Sequence, residues 1–480
     1  MPGSSMPKFP SALPRAPLFC LFAFVVLACL LLSRPDRALY DFDGSFYVTI
    51  AYDLDRYGVF SDGLFAEDYS SREDDGSIDP PKPGMFFGPV FPLMVYAAMR
   101  LDPRFAQAVR CAVEADREER DDTTCEPYTR PVRLMDALLL ALGATAVASA
   151  AARIFRQGGV FWLTGLIVLA GLVAEADILR LVMTESAIFG LYGLFAWATL
   201  RAWMTNGAGA YATSGVLLGI LCLIKPSFLA LFPAIAALTL LYGYRIAKPR
   251  PQGTGRRLMV LTLALGCVLA AWAARNAVSV GKFALTEEYG SAALIERFAY
   301  DDMTAREFFQ AFAYCTPGVG DLMFDQVYGT DSMHRFVYHT PGSFFHVGRD
   351  LRGALIEEHG RLDPLIGGII AQEMRANWWR YLLVNIPLAW CGMWPGWIVS
   401  LPLVPLFIFA CVRAIRRREP MFLMYCAPAV FMLGLHAAVG NHTTRYNLIL
   451  IGPYAAAAAW LIWSAWQDGR WRWRSPAPAP

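Results

Sequence analysis

Residues 202–224 read AWMTNGAGAYATSGVLLGILCLI and residues 226–244 read PSFLALFPAIAALTLLYGY, with Lys225 the only charge between Arg201 and Arg245. A helix on the surface of a water-soluble protein carries a polar face, and neither stretch has one. About 20 residues rising 1.5 Å each cross a hydrocarbon layer ~30 Å thick, so the pair reads as two spans hinged at a lysine. The same pattern recurs outward from it. Further uncharged runs lie at 16–33, 137–152, 157–174, 186–200, 258–274, 381–412, 420–444 and 446–467. Across the 480 residues, 56% are hydrophobic and only 17% charged, against roughly 25% charged in soluble domains. A soluble enzyme, a disordered chain and a small disulfide scaffold are excluded. The fold class expected is an all-α polytopic membrane protein with about ten transmembrane helices, interfacial helices and two large outer loops.

Charge sets the orientation. With ten spans and both termini inside, the cytoplasmic pieces hold 17 basic residues against two acids, Glu419 and Asp468. That asymmetry is what the positive-inside rule asks for. The opposite face receives outer loop 34–132, with 20 acids against 11 bases, and outer loop 275–380, with 14 against 10. The net charge of +2 therefore conceals a basic inside and an acidic outside, and nothing in it points to nucleic acid. The whole of 1–480 reads as one transmembrane domain in a plasma (inner) membrane. Residues 83–99 are apolar but interrupted by Pro83, Pro89 and Pro92, which suits an amphipathic or re-entrant helix in the outer interface better than a span. The run 381–412 is too long for one span, and its first part is expected along the outer surface. Of ten cysteines, seven fall in or beside the apolar runs and read as small buried hydrophobes. Cys111 and Cys125 flank an acidic stretch of the first outer loop, and a disulfide between them is the preferred reading over free thiols.

Ionisable groups near bilayer depth are costly and commonly face a cavity. Asp41 and Asp43 follow the first span, Glu185 opens the fourth, Lys225 joins the fifth to the sixth, Arg275 ends the seventh and Arg445 opens the tenth. Each alone can be a membrane-boundary marker. Together on one face they suit a reaction in which a carboxylate takes a hydroxyl proton and cations hold a phosphate leaving group. Asp43, Tyr47 and Ala51 fall at i, i+4 and i+8, one stripe of a short helix that ends near Gly58. The acidic tracts near residues 67–75 and 114–122 read as solvated loop.

An ordered series of motifs resembles the glycosyltransferase C superfamily, in the branch related to protein O-mannosyltransferases and the lipid A aminoarabinose transferase. The series runs Asp43-x-x-x-Tyr47-x-x-x-Ala51, Lys82-Pro83-Gly84 before FFGPVFPLMVYA, Arg133, Thr184-Glu185, GVLLGILCLI before Lys225-Pro226, Trp272-Ala273-Ala274-Arg275-Asn276, and Arg445-Tyr446. The Lys-Pro-Pro of that family stands here as Lys82-Pro83-Gly84.

The resemblance implies transfer of a sugar, hexosyl or pentosyl, from a polyprenyl-phosphate donor to an acceptor hydroxyl on the periplasmic or outer face, with inversion. It implies Asp43 as catalytic base, Glu185 as a second acid shaping the site, and Lys82, Lys225, Arg275 and Arg445 around the donor phosphate. Asp41, Tyr47, Asn276 and Tyr446 are expected in support. No cofactor is called for; a divalent metal at Asp41 and Asp43 is the lesser alternative, since lysine and arginine neutralise a leaving phosphate themselves. Expected partners are the lipid donor, a lipid, polysaccharide or protein acceptor, and the bilayer. The rival reading is a transporter or flippase of lipid-linked sugars, which would carry its charges in mid-membrane rather than at outer helix ends.

Overall fold

The computed structural model describes residues 15–40, 43–65, 80–117, 125–247, 251–338, 340–440 and 444–468. It is helical throughout, with no strand among the described residues. Helix α1 (Arg15–Ser33) is followed by the first outer loop with α2 (Gly44–Tyr57), α3 (Val90–Leu101) and α4 (Pro103–Arg117). The bundle continues with α5 (Arg130–Phe155), α6 (Gly158–Ala174), the one-turn α7 (Ala176–Leu179), α8 (Glu185–Thr205), α9 (Ala208–Ile224), α10 (Leu231–Leu241) and α11 (Thr254–Ser279). The second outer loop holds α12 (Tyr289–Phe298), α13 (Ala305–Cys315), two one-turn helices, α14 (Gly320–Met323) and α15 (Thr330–Met333), then α16 (Phe344–His359) and α17 (Asp363–Gly392). Helices α18 (Ser400–Arg417), α19 (Pro420–Val439) and α20 (Ile451–Gln467) complete the chain. Among the described residues, seven segments are long and apolar enough to cross a membrane, and α6 and α9 are shorter apolar helices packed among them. The protein is an all-α polytopic membrane protein.

Burial follows composition. In the segment ending in α20, 78% of the most apolar stretch is buried, and Ala455 to Ala459 are wholly enclosed. Small side chains let neighbouring backbones approach where lipid gives no hydrophobic drive between helices. Only 17% of the corresponding stretch of α11 is buried, with Leu263 and Met259 exposed as in a lipid-facing helix.

The apolar run at 83–99 becomes the twelve-residue α3. Its length is about 18 Å, too short to cross, and it packs on α2 through Tyr47 and Phe91, whose rings lie 4.9 Å apart. Run 381–412 divides into two helices. Its first part is the end of the long α17, kinked at Asn377, and its second part is α18. Each outer loop is cross-linked, the first by Cys111–Cys125 and the second by Cys315–Cys391, which joins α13 to α17. Cys391 is therefore a bridging residue and not the small buried hydrophobe expected beside a span. Two reciprocal caps tie α12 to α17: the Glu288 carboxylate accepts from the Leu362 and Asp363 N–H groups, while Asp363 accepts from Glu288 N–H and the Ser291 hydroxyl.

Candidate active site

Helix α2 begins at Gly44 with Asp43 at its N-cap, and ends at Gly58, whose φ of 70° is the left-handed conformation that stops a helix. This fixes Asp43 in the lining of a small, partly enclosed cavity. Tyr47, one turn on, lines the same cavity and buries its ring against Phe87 and Phe91. Gly88 lets the first outer loop press against α9: a Cβ there would stand 2.0 Å from the Leu223 carbonyl oxygen. The contact closes the cavity beside Lys225, the residue between α9 and the next span.

Arg445 organises the charges. Its Nη2 donates to Asp43 Oδ2 at 2.9 Å, and its Nε lies 3.6 Å from Glu185 Oε1. Glu185, the first residue of α8, is buried, and its Oε2 has no hydrogen-bond partner among the described residues. The Lys225 ammonium sits 3.2 Å from the centre of the Tyr446 ring, a cation–π contact that positions it without consuming its charge. Two carboxylates and two cations thus meet at one end of the bundle, brought from the first loop, α8, the α9 hinge and the segment before α20. Burial pulls the Lys225 ammonium down to about 8, opposed by Glu185 and Asp43 and assisted by Arg445. Burial, with Tyr446 and Asp43 adding, pushes the Tyr289 phenol far above its ordinary value, so it remains a neutral donor.

The structure brings Asp43, Tyr47, Glu185, Lys225, Arg445 and Tyr446 together at one end of the bundle. Three other candidates stand elsewhere. Arg275 is half-buried away from the cavity lining, its guanidinium donating to the carbonyls of Gly84 and Phe60 at 2.6 and 2.9 Å. Asn276 donates to the Ala284 carbonyl. Lys82 is exposed and does not line the cavity. Arg275 is thus held by carbonyls and Lys82 stands at the surface, neither in the cavity lining. The fold also accounts for Gly84 in place of a second proline, since any Cβ there would lie 2.3 Å from the Asp62 backbone nitrogen. Asp41 lies outside the described residues, as does most of the acidic tracts.

A metal ion does not fit between Asp43 and Glu185: the Arg445 guanidinium already stands between them, and it and Lys225 would repel a cation. Elsewhere among the described residues, the carboxylates of Glu287, Glu288 and Asp363 converge, but those of Glu288 and Asp363 are occupied by the helix caps. Sequence reasoning missed Tyr289, a cavity residue with no distinguishing pattern around it, and gave no site role to Phe86, the first residue of the quoted FFGPVFPLMVYA. It also missed Asp136, a fully buried carboxyl on α5 within electrostatic reach of Glu185 and without a hydrogen bond among the described residues. The signal was present, as an acid three residues beyond Arg133 at the edge of an apolar run.

No family model matches the chain, and no curated protein sequence matches it. Among solved structures it is similar to two of the Archaeoglobus fulgidus oligosaccharyltransferase. One is tethered through a disulfide to an acceptor peptide containing the NVT sequon, at 11% identity and a TM-score of 0.47, covering 96% of this chain and 51% of that one. The other, AglB in complex with an inhibitory peptide and a dolichol-phosphate, stands at 10% and 0.46, covering 97% and 52%. The chain spans about half the length of these structures. At such values the likeness assigns neither family nor activity.

Proposed function

We propose that this chain is a membrane glycosyltransferase of the glycosyltransferase C type, moving a sugar from a polyprenyl-phosphate donor to an acceptor hydroxyl at the outer face of a plasma (inner) membrane. The observation that carries this reading is a cavity lined by Asp43, Lys225 and Tyr446, with Arg445 bridging Asp43 to the buried Glu185 behind it. It provides a reachable carboxylate, with a third of its side chain exposed, next to cations that can receive an anion. Asp43 takes the acceptor proton as the hydroxyl oxygen bonds to the anomeric carbon. The bond from that carbon to the phosphate oxygen breaks, and its electron pair leaves with the phosphate. The leaving group gains one negative charge, which Lys225 and Arg445 stabilise in a site poor in water. One base and one displacement give inversion. Glu185 keeps Arg445 in place while its other carboxylate partner changes protonation. Both termini lie on the cytoplasmic side in this reading, because the arginine-rich helix ends lie at the end of the bundle remote from the cavity.

The test incubates the purified protein, and its Asp43→Asn variant, with a panel of polyprenyl-phosphate hexoses and pentoses and an envelope extract as acceptor. Release of polyprenyl phosphate is followed by mass spectrometry. The expected result is release from one donor, reduced about 10²–10⁴-fold in the variant. Equal release by both proteins would remove Asp43 as base. Consumption of no donor, with flipping of a lipid-linked sugar in vesicles, would establish the transporter instead.

A further inference from the structure

A second cavity lies at the opposite end of the bundle, between the C-termini of α5, α18 and α20 and the N-terminus of α19. Helix α20 measures the separation: Arg445 precedes its first turn and Gln467 ends it, about 26 Å along the axis for its 17 residues. This cavity is larger, about 440 Å³, and three arginines line it: Arg156, Arg413 and Arg417. Its floor is aromatic. The Trp460 ring stacks on Phe155 at 4.8 Å and lies 5.7 Å from Phe422, and the Arg413 guanidinium sits 4.6 Å from the centre of the Trp460 ring. This cation–π contact anchors the Arg413 guanidinium against the aromatic floor.

We propose that this cavity binds the phosphodiester headgroup of an anionic membrane lipid. Three observations select that class. Basic pockets between helix ends at the positively charged side of a membrane protein are suited to anionic headgroups. The lining balances three arginines with two acids, Glu419 and Asp468, leaving one positive charge, which matches a singly charged diester better than a phosphate monoester. Finally, half-buried apolar side chains, Ile154 of α5 and Met421 of α19, stand in the cavity lining beside the arginines. Acyl chains can lie along these side chains while the headgroup enters among the arginines. None of these residues belongs to the cavity that holds Asp43, so the proposal stands apart from the catalytic reading.

Native mass spectrometry of the delipidated full chain, titrated with phosphatidylglycerol and with phosphatidylcholine, tests it. Tighter binding of phosphatidylglycerol is expected, weakened about fivefold in Arg413→Gln and again in Arg417→Gln, with millimolar inorganic phosphate failing to displace it. Equal binding of the two lipids, or unchanged selectivity in the variants, would overturn the proposal. Displacement by inorganic phosphate would overturn the lipid assignment in favour of a free anion. Arg417 is exposed at the rim, so its variant decides the matter even where Arg413→Gln does not fold.

Discussion

Arg445 faces two carboxylates beside a cavity, whereas Arg133 and Arg275 face mainly backbone carbonyls and Arg297 divides its bonds between carbonyls and the buried Asp301 and Asn385 side chains. Arg133 donates to the carbonyls of Leu31, Arg34 and Pro35 and pairs with Asp36, fastening α1 to α5. Arg297, wholly buried, reaches the Ala437 carbonyl, Asn385 and Asp301, fastening α12 to α17 and α19. A carbonyl is fixed by its helix or turn and cannot leave without local unfolding. A carboxylate presents the same paired oxygens as a phosphate, so a substrate can take its place in the fork. A cation that holds the fold is tied at least in part to carbonyls, as Arg297 and Arg133 are beside their carboxylates, whereas one that can hold a ligand has exchangeable carboxylates next to a cavity.

The largest test of that contrast is Arg297→Met. It leaves the Asp301 carboxylate buried without its cation, at a cost of about 3–5 kcal/mol, and a sharply lowered melting temperature or loss of monodisperse protein is expected. Arg445→Lys should behave in the opposite manner. Charge is kept but the fork between Asp43 and Glu185 is lost, and donor turnover should fall about 10²-fold with the melting temperature nearly unchanged. If Arg297→Met retained its melting temperature and lost turnover, the division between the two sets would be broken.

Much of this arrangement was legible in the chain. Spans announce themselves through missing charge, and Asp43, Glu185, Lys225 and Arg445 stand out because each interrupts or borders such a run. Arg275 stands out equally, yet its role is decided by carbonyls at Phe60 and Gly84, roughly 190–215 residues away in sequence. No local pattern encodes that distance. The Cys315–Cys391 bridge was hidden for a related reason, since Cys391 sits in an apolar run where a thiol is ordinarily a hydrophobe. Tyr289 reaches the cavity only because the Glu288–Asp363 caps set where α12 starts, a tertiary event.

A smaller effect probes the electrostatic side of the cavity. The Lys225 ammonium, pulled down to about 8 by burial, is charged below that pH and neutral above it. Donor capture by the free protein, measured as kcat/KM, should therefore fall as pH rises through about 8, up to tenfold per pH unit. In Lys225→Arg this alkaline limb should move beyond the accessible range, because a guanidinium does not deprotonate there. A limb unmoved in the variant would assign the titration to another group.

The smallest expected effect is also the most discriminating for the resemblance that the sequence carries. Lys82 precedes the proline and glycine where the superfamily pattern places a donor-phosphate lysine, yet here it is exposed while Gly84 next to it is buried against Asp62. A solvated lysine away from special contacts is worth within about 0.5 kcal/mol, so Lys82→Ala should change donor KM by no more than about twofold. A tenfold rise in KM with kcat unchanged would mean that the loop carrying Lys82 folds over the cavity when donor binds. Lys82 would then join Lys225 and Arg445 as a cation that exchanges partners.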